Sequence, residues 1–520
     1  MNMLRDEKNR EYRDMIKETL AFDPGILQRF VNFMNNPDEE TAVDQFGKDD
    51  RYFAACTLLS TLPGLPMFGH GQIEGYSEKY GMEYLRAYKD EHPDTDLITR
   101  HEREIFPLLK NRAMFAGAPS FRLYDLHSSD GINENVFVYS NSRGDDRSLV
   151  IVNNSYQRAS GNIHRSVPVN IGDMKILNEN LDSALDLNTV PGEDWLLMRD
   201  VVSALWYLRS VNELKNQGLT VVVDGFGRQV FMEFRREAET ADGLWGKLAA
   251  ELAGSGVADP DAAVAEIRLR PIHSLLNSLV SPELIAGLAT SIRRGKRPKW
   301  SGKSEPEISK ILLQFERQQQ RLFPGQNPGP GSAVSDIKRC LAGSSRQFRL
   351  FGGGIRRSFN RLYTLSEWDE ALFLALWSII SPLSEICGED FEIWSAWGLQ
   401  NWIEKSGITA GNNSVILPLK TALSSEIKKS MDSEEYLSRL FSNSVVRETC
   451  GVNEWDGILW YRQEGWITVF RTASLTSAAN INPGLKGWKR YRKLRQTIKK
   501  WYRADKTAGY KVEHLLGASR

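Results

Sequence analysis

The first 116 residues alternate two hydrophobic patterns. Apolar residues recur at helical spacing in 4–29, 50–61, 84–89 and 102–116. Between these segments, residues 30–33 and 64–68 are short apolar runs of strand length, bounded by proline, glycine and asparagine. Strands that alternate with helices predict an α/β architecture with parallel strands.

The period then changes to that of strands. Residues 120–126, 136–141 and 148–153 are short strand-like runs, and 141–146 reads as a hairpin turn between the last two. Residues 219–224 and 229–234 predict a second hairpin, with an amphipathic helix at 200–217 before it. We therefore predict a small antiparallel β-domain over residues 117–238, which follows a first domain over 1–116.

Strand signals fade after residue 239, and no internal repeat is present. Helical patterns are predicted at the segments 244–253, 260–280, 282–294, 305–321, 332–341 and 368–383. Glycine and proline at 324–331 indicate a loop or linker. Residues 239–520 are therefore predicted to be a mainly α-helical region.

Composition narrows the classes of partner and location. Lysine plus arginine and aspartate plus glutamate both number 66 in the 520 residues, so the net charge argues for neither nucleic acid nor an anionic membrane. No apolar run reaches the roughly 20 residues that a membrane-spanning helix needs. Residues 5–8 are all charged and no apolar core region accompanies them, unlike a signal peptide, and the four cysteines are far apart. We expect a cytoplasmic protein without a nucleic-acid or membrane partner.

Candidate chemistry follows the two predicted parallel strands. Asn36-Pro37-Asp38 comes directly after the first strand, and Gly71-Gln72-Ile73-Glu74-Gly75 comes shortly after the second. Carboxylates at the carboxyl ends of parallel strands are where barrel enzymes keep their active sites. Asp38 has a structural alternative, because it could instead cap a helix that starts at residue 39.

These two segments together resemble the last two barrel strands of the α-amylase family of glycoside hydrolases, and 136–154 resembles a hairpin of that family's domain C. The resemblance covers roughly residues 11–238. It implies a multidomain chain: the end of an incomplete α/β (TIM-type) barrel, an antiparallel β-sandwich, then the mainly α-helical region. The chain would then begin in the middle of a catalytic domain.

The resemblance also implies roles for single residues. Asp38 would be the aspartate that stabilises the transition state, with Asn36, His70, Glu74 and Tyr76 as substrate-binding residues. Each has a plainer alternative: His70 could be an ordinary loop residue and Glu74 could only shape its turn. Tyr76, with Tyr80 and Phe68, could stack on a sugar ring or simply fill the core. Pro37 replaces a family histidine that helps to hold the sugar, and this puts substrate choice in doubt.

The implied function is a retaining glycosidase that acts on α-linked glucans. Retaining hydrolysis needs two carboxylates about 5 Å apart, and the family places its nucleophile and its acid/base on earlier strands. An upstream catalytic segment or a partner chain would have to supply both groups. No cofactor is expected in this chain, although family members often bind calcium in a domain that would lie upstream. The alternative is a non-catalytic fragment that binds glucan or a protein.

Two basic segments with aromatic residues, 293–300 and 486–503, offer a third interpretation. Either could meet phosphate or nucleic acid. In the second segment, however, Trp488, Tyr491, Leu494, Ile498 and Trp501 share one helical face. An ordinary surface helix with its basic residues in solvent also explains that pattern. We favour this interpretation over nucleic-acid binding.

Overall fold

The computed structural model describes residues 2–81, 84–173, 175–187, 194–299, 303–324, 333–350, 366–385, 387, 392–409, 413–424, 427, 431, 436–481 and 485–518. The chain divides into two compact units, Met1–Ile267 and Arg268–Arg520. The predicted loop beyond residue 324 and the aromatic end of the basic segment, Trp300, lie outside the described residues. The structure is mixed helix and sheet with a helical C-terminal part.

The first unit begins with a strand–helix–strand arrangement. Strands β1 (Val31–Phe33) and β2 (Leu65–Met67) are parallel neighbours, with Val31 opposite Leu65 and Phe33 opposite Met67. The helices of this unit are α1 (Asn2–Arg5), α2 (Asn9–Phe22), α3 (Ala42–Phe46), α4 (Asp50–Thr61), α5 (Thr95–Glu104), α6 (Phe106–Lys110), α7 (Arg112–Phe115), α8 (Leu181–Ala184), α9 (Val211–Gln217), α10 (Leu244–Leu252) and α11 (Pro260–Leu279), whose last turns enter the second unit. Helix α4 connects β1 to β2, so both strands point the same way and end at the same edge.

Two antiparallel sheets follow. Their strands are β3 (Arg122–Tyr124), β4 (His127–Ser128), β5 (Gly131–Ile132), β6 (Val136–Arg143), β7 (Asp146–Asn153), β8 (Ala159–Ile163), β9 (Val169–Asn170), β10 (Ile176–Leu177), β11 (Trp195–Asp200), β12 (Trp206–Ser210), β13 (Leu219–Val223) and β14 (Arg228–Glu237). One sheet has the order β12-β11-β14-β7-β6-β3 and the other β13-β8-β4-β5, while β9 and β10 pair separately. The predicted hairpin turn is confirmed, since β6 and β7 pair up to Arg143 opposite Asp146.

Two hydrophobic clusters show what packs against each face of the six-stranded sheet. One contains residues of both sheets, such as Ile151 and Val221. The other lies on the opposite face of the six-stranded sheet, where Phe137 and Val150 pack with Ile16 of α2 and Leu58 of α4. The six-stranded sheet is therefore covered on both faces, and α4 ties the β1–β2 pair to it.

Two sequence predictions for the β-sheet region of this unit are wrong. Residues 200–217 are not one helix, because only α9 is helical and β11 and β12 occupy the flanking positions. The runs 219–224 and 229–234 do not pair with each other. Instead β13 pairs with β8, and β14 pairs with β11 and β7.

The second unit is largely helical. Its helices are α12 (Pro282–Arg293), α13 (Glu305–Leu322), α14 (Ala333–Leu350), α15 (Glu367–Glu385), α16 (Ile393–Ala396), α17 (Leu399–Ser406), α18 (Ile416–Ala422), α19 (Tyr436–Ser442), α20 (Ser444–Cys450), α21 (Gln463–Ala479), α22 (Leu485–Ala508) and α23 (Val512–Ala518), with one hairpin of β15 (Asn453–Trp455) and β16 (Ile458–Trp460). One core surrounds α15, and a second surrounds α21 and α22. No single described helix has the length and apolar content to cross a bilayer, although α11 and α12 pass that test as a pair bent by 49°.

Candidate functional site

The predicted site residues follow β1 and β2 at their shared carboxyl edge. Asn36 closes the turn after β1, since its Oδ1 accepts hydrogen bonds from the backbone N–H of Asp38 at 2.9 Å and of Glu39 at 3.0 Å. Only its Nδ2 therefore remains to donate to a ligand. Asp38 does not cap a helix, because the next helix, α3, begins at Ala42 with Thr41 as its cap. The structural alternative for Asp38 is wrong.

The Asp38 carboxylate is exposed, and no described side chain or backbone group bonds to it. Its backbone carbonyl accepts from Lys79 Nζ at 2.8 Å. Two residues further on, a Cβ at Gly81 would lie 3.0 Å from the carbonyl oxygen of Pro37. The loop after β2 thus lies against the turn after β1, and it leaves the Asp38 carboxylate open to solvent.

Aromatic rings line up on that loop. The exposed His70 ring contacts the Tyr80 ring edge-on at 4.5 Å between centroids, and Tyr80 contacts Tyr84 at 4.6 Å. Tyr80 lies between Lys79 and Gly81, the two residues that touch the turn. We call His70, Tyr80 and Tyr84 the aromatic row. It lies on the loop that contacts the Asp38 turn through Lys79 and Gly81, and aromatic rings of this kind cover the apolar faces of sugars.

Other predicted residues are placed differently. Phe68 faces inward, with its ring 6.2 Å from that of His101, so it does not join the aromatic row. Tyr76 is half-buried against Gly71, where a Cβ would lie 2.7 Å from its ring. Glu74 bonds through its backbone, as its carbonyl accepts from Asp94 N at 2.9 Å. Tyr76 and Glu74 therefore shape the turn, which does not prevent either from also meeting a ligand.

A buried hydrogen-bond chain holds the glycine-rich turn. The Tyr52 hydroxyl on α4 donates to the Gln72 carbonyl at 3.0 Å and lies 2.9 Å from His101 Nε2 on α5. Because the Tyr52 hydroxyl donates its proton to the Gln72 carbonyl, its oxygen accepts from His101 Nε2. His101 Nδ1 is buried and has no hydrogen-bond partner among the described residues. Burial lowers the pKa of His101 to about 4. The imidazole is neutral and structural.

This geometry predicts a pH dependence of stability. The folded-state pKa of His101 lies below its ordinary value of 6.5, so the unfolded chain binds the proton more tightly. The stabilisation is complete above about pH 6.5 and is lost as the pH falls toward 4; at pH 5 about 2 kcal/mol is lost. Hydrogen exchange of α4 and α5 amides between pH 7 and 5 measures this. In His101→Gln the drop should be smaller by that amount, and equal drops would contradict the assignment.

The structure adds residues that the sequence gave no reason to select. Asn35 is buried beside Gly69, where any Cβ would lie 2.4 Å from its Nδ2, and its Oδ1 has no partner. Lys79 contacts the Asp38 backbone from a position 41 residues away. Neither contact could be read from local spacing, because both depend on how the loop after β2 folds back.

A cavity of the first unit lies elsewhere. Its volume is about 960 Å³, and Tyr207, Arg209, Thr220 and Val222 are among its lining residues on β12 and β13. None of the predicted site residues lines it. Among the described residues, no group of three His, Cys, Asp or Glu side chains could hold a metal ion.

Comparisons with known proteins give solved structures only. No protein-family model matches the chain, and no curated protein matches it. An α-amylase from Geobacillus thermoleovorans in complex with acarbose is 15% identical, with a TM-score of 0.27, over 40% of this chain and 39% of that one. The Nostoc punctiforme debranching enzyme is 16% identical with a TM-score of 0.28, over 43% and 38%. A γ-CGTase from Alkalophilic bacillus clarkii is 17% identical with a TM-score of 0.29, over 45% and 30%.

At these TM-scores the similarities establish neither a common fold nor any residue's role. The chain spans about two fifths or less of the length of each of these three structures. The solved structures that resemble this chain are enzymes of the α-amylase family, which is the family that the segments around Asp38 and Gly71 also resemble.

Proposed function

We propose that the first unit carries part of an α-glucan site of the α-amylase type, with Asp38 as its sugar-binding carboxylate. The observation that carries the proposal is the placement of Asp38. It follows β1 at the edge that β1 shares with β2, it is exposed and unbonded, and the loop that carries the aromatic row contacts its turn through Lys79 and Gly81. An unbonded carboxylate on a turn that touches a loop with clustered aromatic rings suits a sugar, whose hydroxyls donate and whose faces are apolar.

In this proposal each residue has a defined task. Asp38 accepts hydrogen bonds from sugar hydroxyls and, in a complete site, favours the distorted, positively charged transition state. Asn36 donates from Nδ2, and His70 with Tyr80 covers a face of the ring. Glu74 and Tyr76 border the glycine-rich turn after β2. The nucleophile and the acid/base are assigned to no residue of this chain, so an upstream segment or a partner chain would supply them.

The edges of the β1–β2 pair favour such a partner. Within the described residues each strand pairs only with the other, so each has one free edge. Val31 is 46% exposed and Leu65 is 61% exposed. Free edges with apolar side chains invite further strands. An upstream segment that adds strands here should slow amide exchange in β1 and β2, whereas an unrelated segment should not.

Binding of maltoheptaose by the full chain tests the proposal. We expect weak binding in calorimetry, reduced about tenfold or more by Asp38→Asn because a charge-assisted hydrogen bond is lost. Tyr80→Ala should weaken binding about 2- to 10-fold. Tyr88→Ala is the matched control, since Tyr88 is a 74% exposed tyrosine of the same loop outside the aromatic row. No binding, or equal effects of the two tyrosine variants, would refute the proposal.

We also expect no hydrolysis of maltoheptaose by this chain alone. Retaining hydrolysis needs two carboxylates about 5 Å apart, and Asp38 fills neither of those roles. Chromatography of the oligosaccharide after prolonged incubation checks this. Turnover that Asp38→Asn abolishes would contradict the expectation, whereas binding without turnover agrees with the non-catalytic alternative as well as with an enzyme that awaits its other part.

A further inference from the structure

Helix α22 concentrates positive charge that the rest of the chain balances. It carries ten lysine and arginine residues against one acidic residue, Asp505. Asp505 is buried and accepts from the Tyr461 hydroxyl at 2.8 Å, so it does not neutralise the basic face. A net charge of zero for the whole chain therefore conceals a strongly basic helix.

The basic side chains of α22 are exposed and largely without ion pairs. No ion pair with a described carboxylate is made by the six exposed residues Lys489, Arg490, Arg492, Arg495, Lys499 and Arg503. From Lys489 to Arg503 the helix rises about 21 Å. Surface cations in proteins are commonly interspersed with carboxylates, whereas these six residues make no ion pair within the described part of the chain.

The opposite face of the helix is committed to the core. Leu494, Ile498, Trp501 and Ala504 are buried in the cluster that also contains α21 and α23. The helix therefore cannot lay its apolar face into a lipid surface as a membrane-bound amphipathic helix would. Only the basic face is available to a partner, and that partner must be anionic.

One aromatic ring is left outside the core. Trp488, which the sequence placed on the apolar face, is 53% exposed. Its ring stacks on Tyr491 at 5.7 Å with an interplanar angle of 15°. Tyr491 thus supports one face of the indole, and about half of the Trp488 side chain is exposed at the N-terminal end of the basic array. An exposed ring beside a row of cations suits a nucleobase, which can stack on it.

The C-terminal part of the array has a groove. Gln496, Lys499, Arg503 and Thr507 recur at helical spacing and line a depression of about 430 Å³. Its lining combines cationic side chains with polar Gln496 and Thr507, which suits a phosphate backbone. The array thus offers a stacking ring at one end and a cationic groove at the other.

We propose that α22 binds single-stranded nucleic acid, with Trp488 stacking on a base and the basic side chains of the face opposite the core, Lys489, Arg492, Arg495, Lys499 and Arg503, contacting phosphates. This departs from the expectation of no nucleic-acid partner. That expectation rested on the net charge of the whole chain, whereas binding depends on how the charge is distributed. The proposal does not depend on the α-glucan site of the first unit.

Fluorescence anisotropy of the full chain with a labelled 20-mer of deoxythymidine tests it. In single strands the logarithm of affinity falls with the logarithm of salt with a slope of about −0.7 for each phosphate contact. Changing Lys489, Arg492, Lys499 and Arg503 together to glutamine should therefore make the slope shallower by about 3. The matched control changes Arg293, Arg294, Lys296 and Arg297, four exposed basic residues of the same unit, to glutamine. Equal losses in the two variants would overturn the proposal.

Trp488 separates a nucleic acid from any other polyanion. Trp488→Ala should lower affinity for the 20-mer about tenfold, Trp488→Phe should restore most of it, and neither should change binding to an abasic strand of equal length. An unchanged affinity of Trp488→Ala for the 20-mer would overturn the proposal. So would tighter binding to phosphatidylserine vesicles or to polyglutamate than to the 20-mer at the same salt concentration. Trp488, Lys489, Arg492, Lys499 and Arg503 are all exposed. The variants should therefore keep the helix content of the parent in circular dichroism.

Discussion

Replacing Arg13 with leucine is expected to destabilise the first unit by about 4 kcal/mol. Arg13 on α2 is fully buried, and its guanidinium donates to Glu134 at 2.8 Å, to the Val136 carbonyl at 2.6 Å and to Asp125. Leucine would leave the Glu134 carboxylate and a buried carbonyl without the Arg13 donor, and Asp125 would keep the partly exposed Lys17 as its ion-pair partner. Removing one partner of a buried ion pair costs about 3–5 kcal/mol, because the remaining charge is desolvated and unpaired.

Lys17 provides the matched control. It also pairs with Asp125, at 2.9 Å, but its side chain is 25% exposed, so Lys17→Gln should cost less than about 1 kcal/mol. Hydrogen exchange of β6 amides measures both variants, with amides of the second unit as the internal reference. If the two variants lost similar amounts of unfolding free energy, Arg13 would contribute no more to stability than an exposed cation does.

Local patterns were sufficient where an element is defined by its own sequence. Helix α4 has exactly the predicted bounds, Asp50–Thr61, and the turn at 141–146 joins β6 to β7 as predicted. In the second unit the predicted helices at 260–280 and 282–294 correspond to α11 and α12. Apolar spacing and turn residues act over a few positions, and those interactions persist in the folded chain.

Pairing between distant strands could not be read in the same way. β14 pairs with β11 and β7, and in that position its residues Val230 and Phe231 are buried. It does not pair with β13, although a short turn joins the two strands in sequence. The segment 200–217 contains enough apolar residues for a helix. It nevertheless places Trp206–Ser210 as an edge strand beside β11. Tertiary contacts override local propensity in such places.

In the candidate site, too, local features were predictable from the sequence and contacts between distant segments were not. The position of Asp38 after a strand was predictable, since a short apolar run followed by Asn-Pro-Asp marks a strand end. The helix predicted at 84–89 is wrong, because Glu78, which is buried, accepts hydrogen bonds from the backbone N–H of Tyr88 and Lys89 and holds that segment as a loop. The aromatic row depends on this loop, so sequence alone could suggest Tyr80 but could not place its loop against the Asp38 turn.

The second large effect is expected at Glu104, at the C-terminal end of α5. Glu104 is buried and pairs with Arg228 of β14, Arg100 and Arg103. Burial alone would raise the pKa of Glu104, but the charges of Arg228, Arg103 and Arg100 outweigh it and hold the pKa below its ordinary value. Glu104→Gln should destabilise the first unit by about 3 kcal/mol. The cost arises because, within the described part of the chain, the buried Arg228 would keep Asp50, at 3.6 Å, as its one remaining ion-pair partner.

Arg103→Gln separates this effect from a general loss of charge. Arg103 pairs with the same carboxylate, but its side chain is 65% exposed, so its removal should cost less than about 1 kcal/mol. Because α5 also carries His101, which holds Tyr52 and through it the Gln72 carbonyl, Glu104→Gln should weaken protection of the Gln72 turn along with that of β14. If the exchange of β14 changed while that of the Gln72 turn did not, α5 would not couple the sheet to the candidate site, and the turn would owe its position to β2 alone.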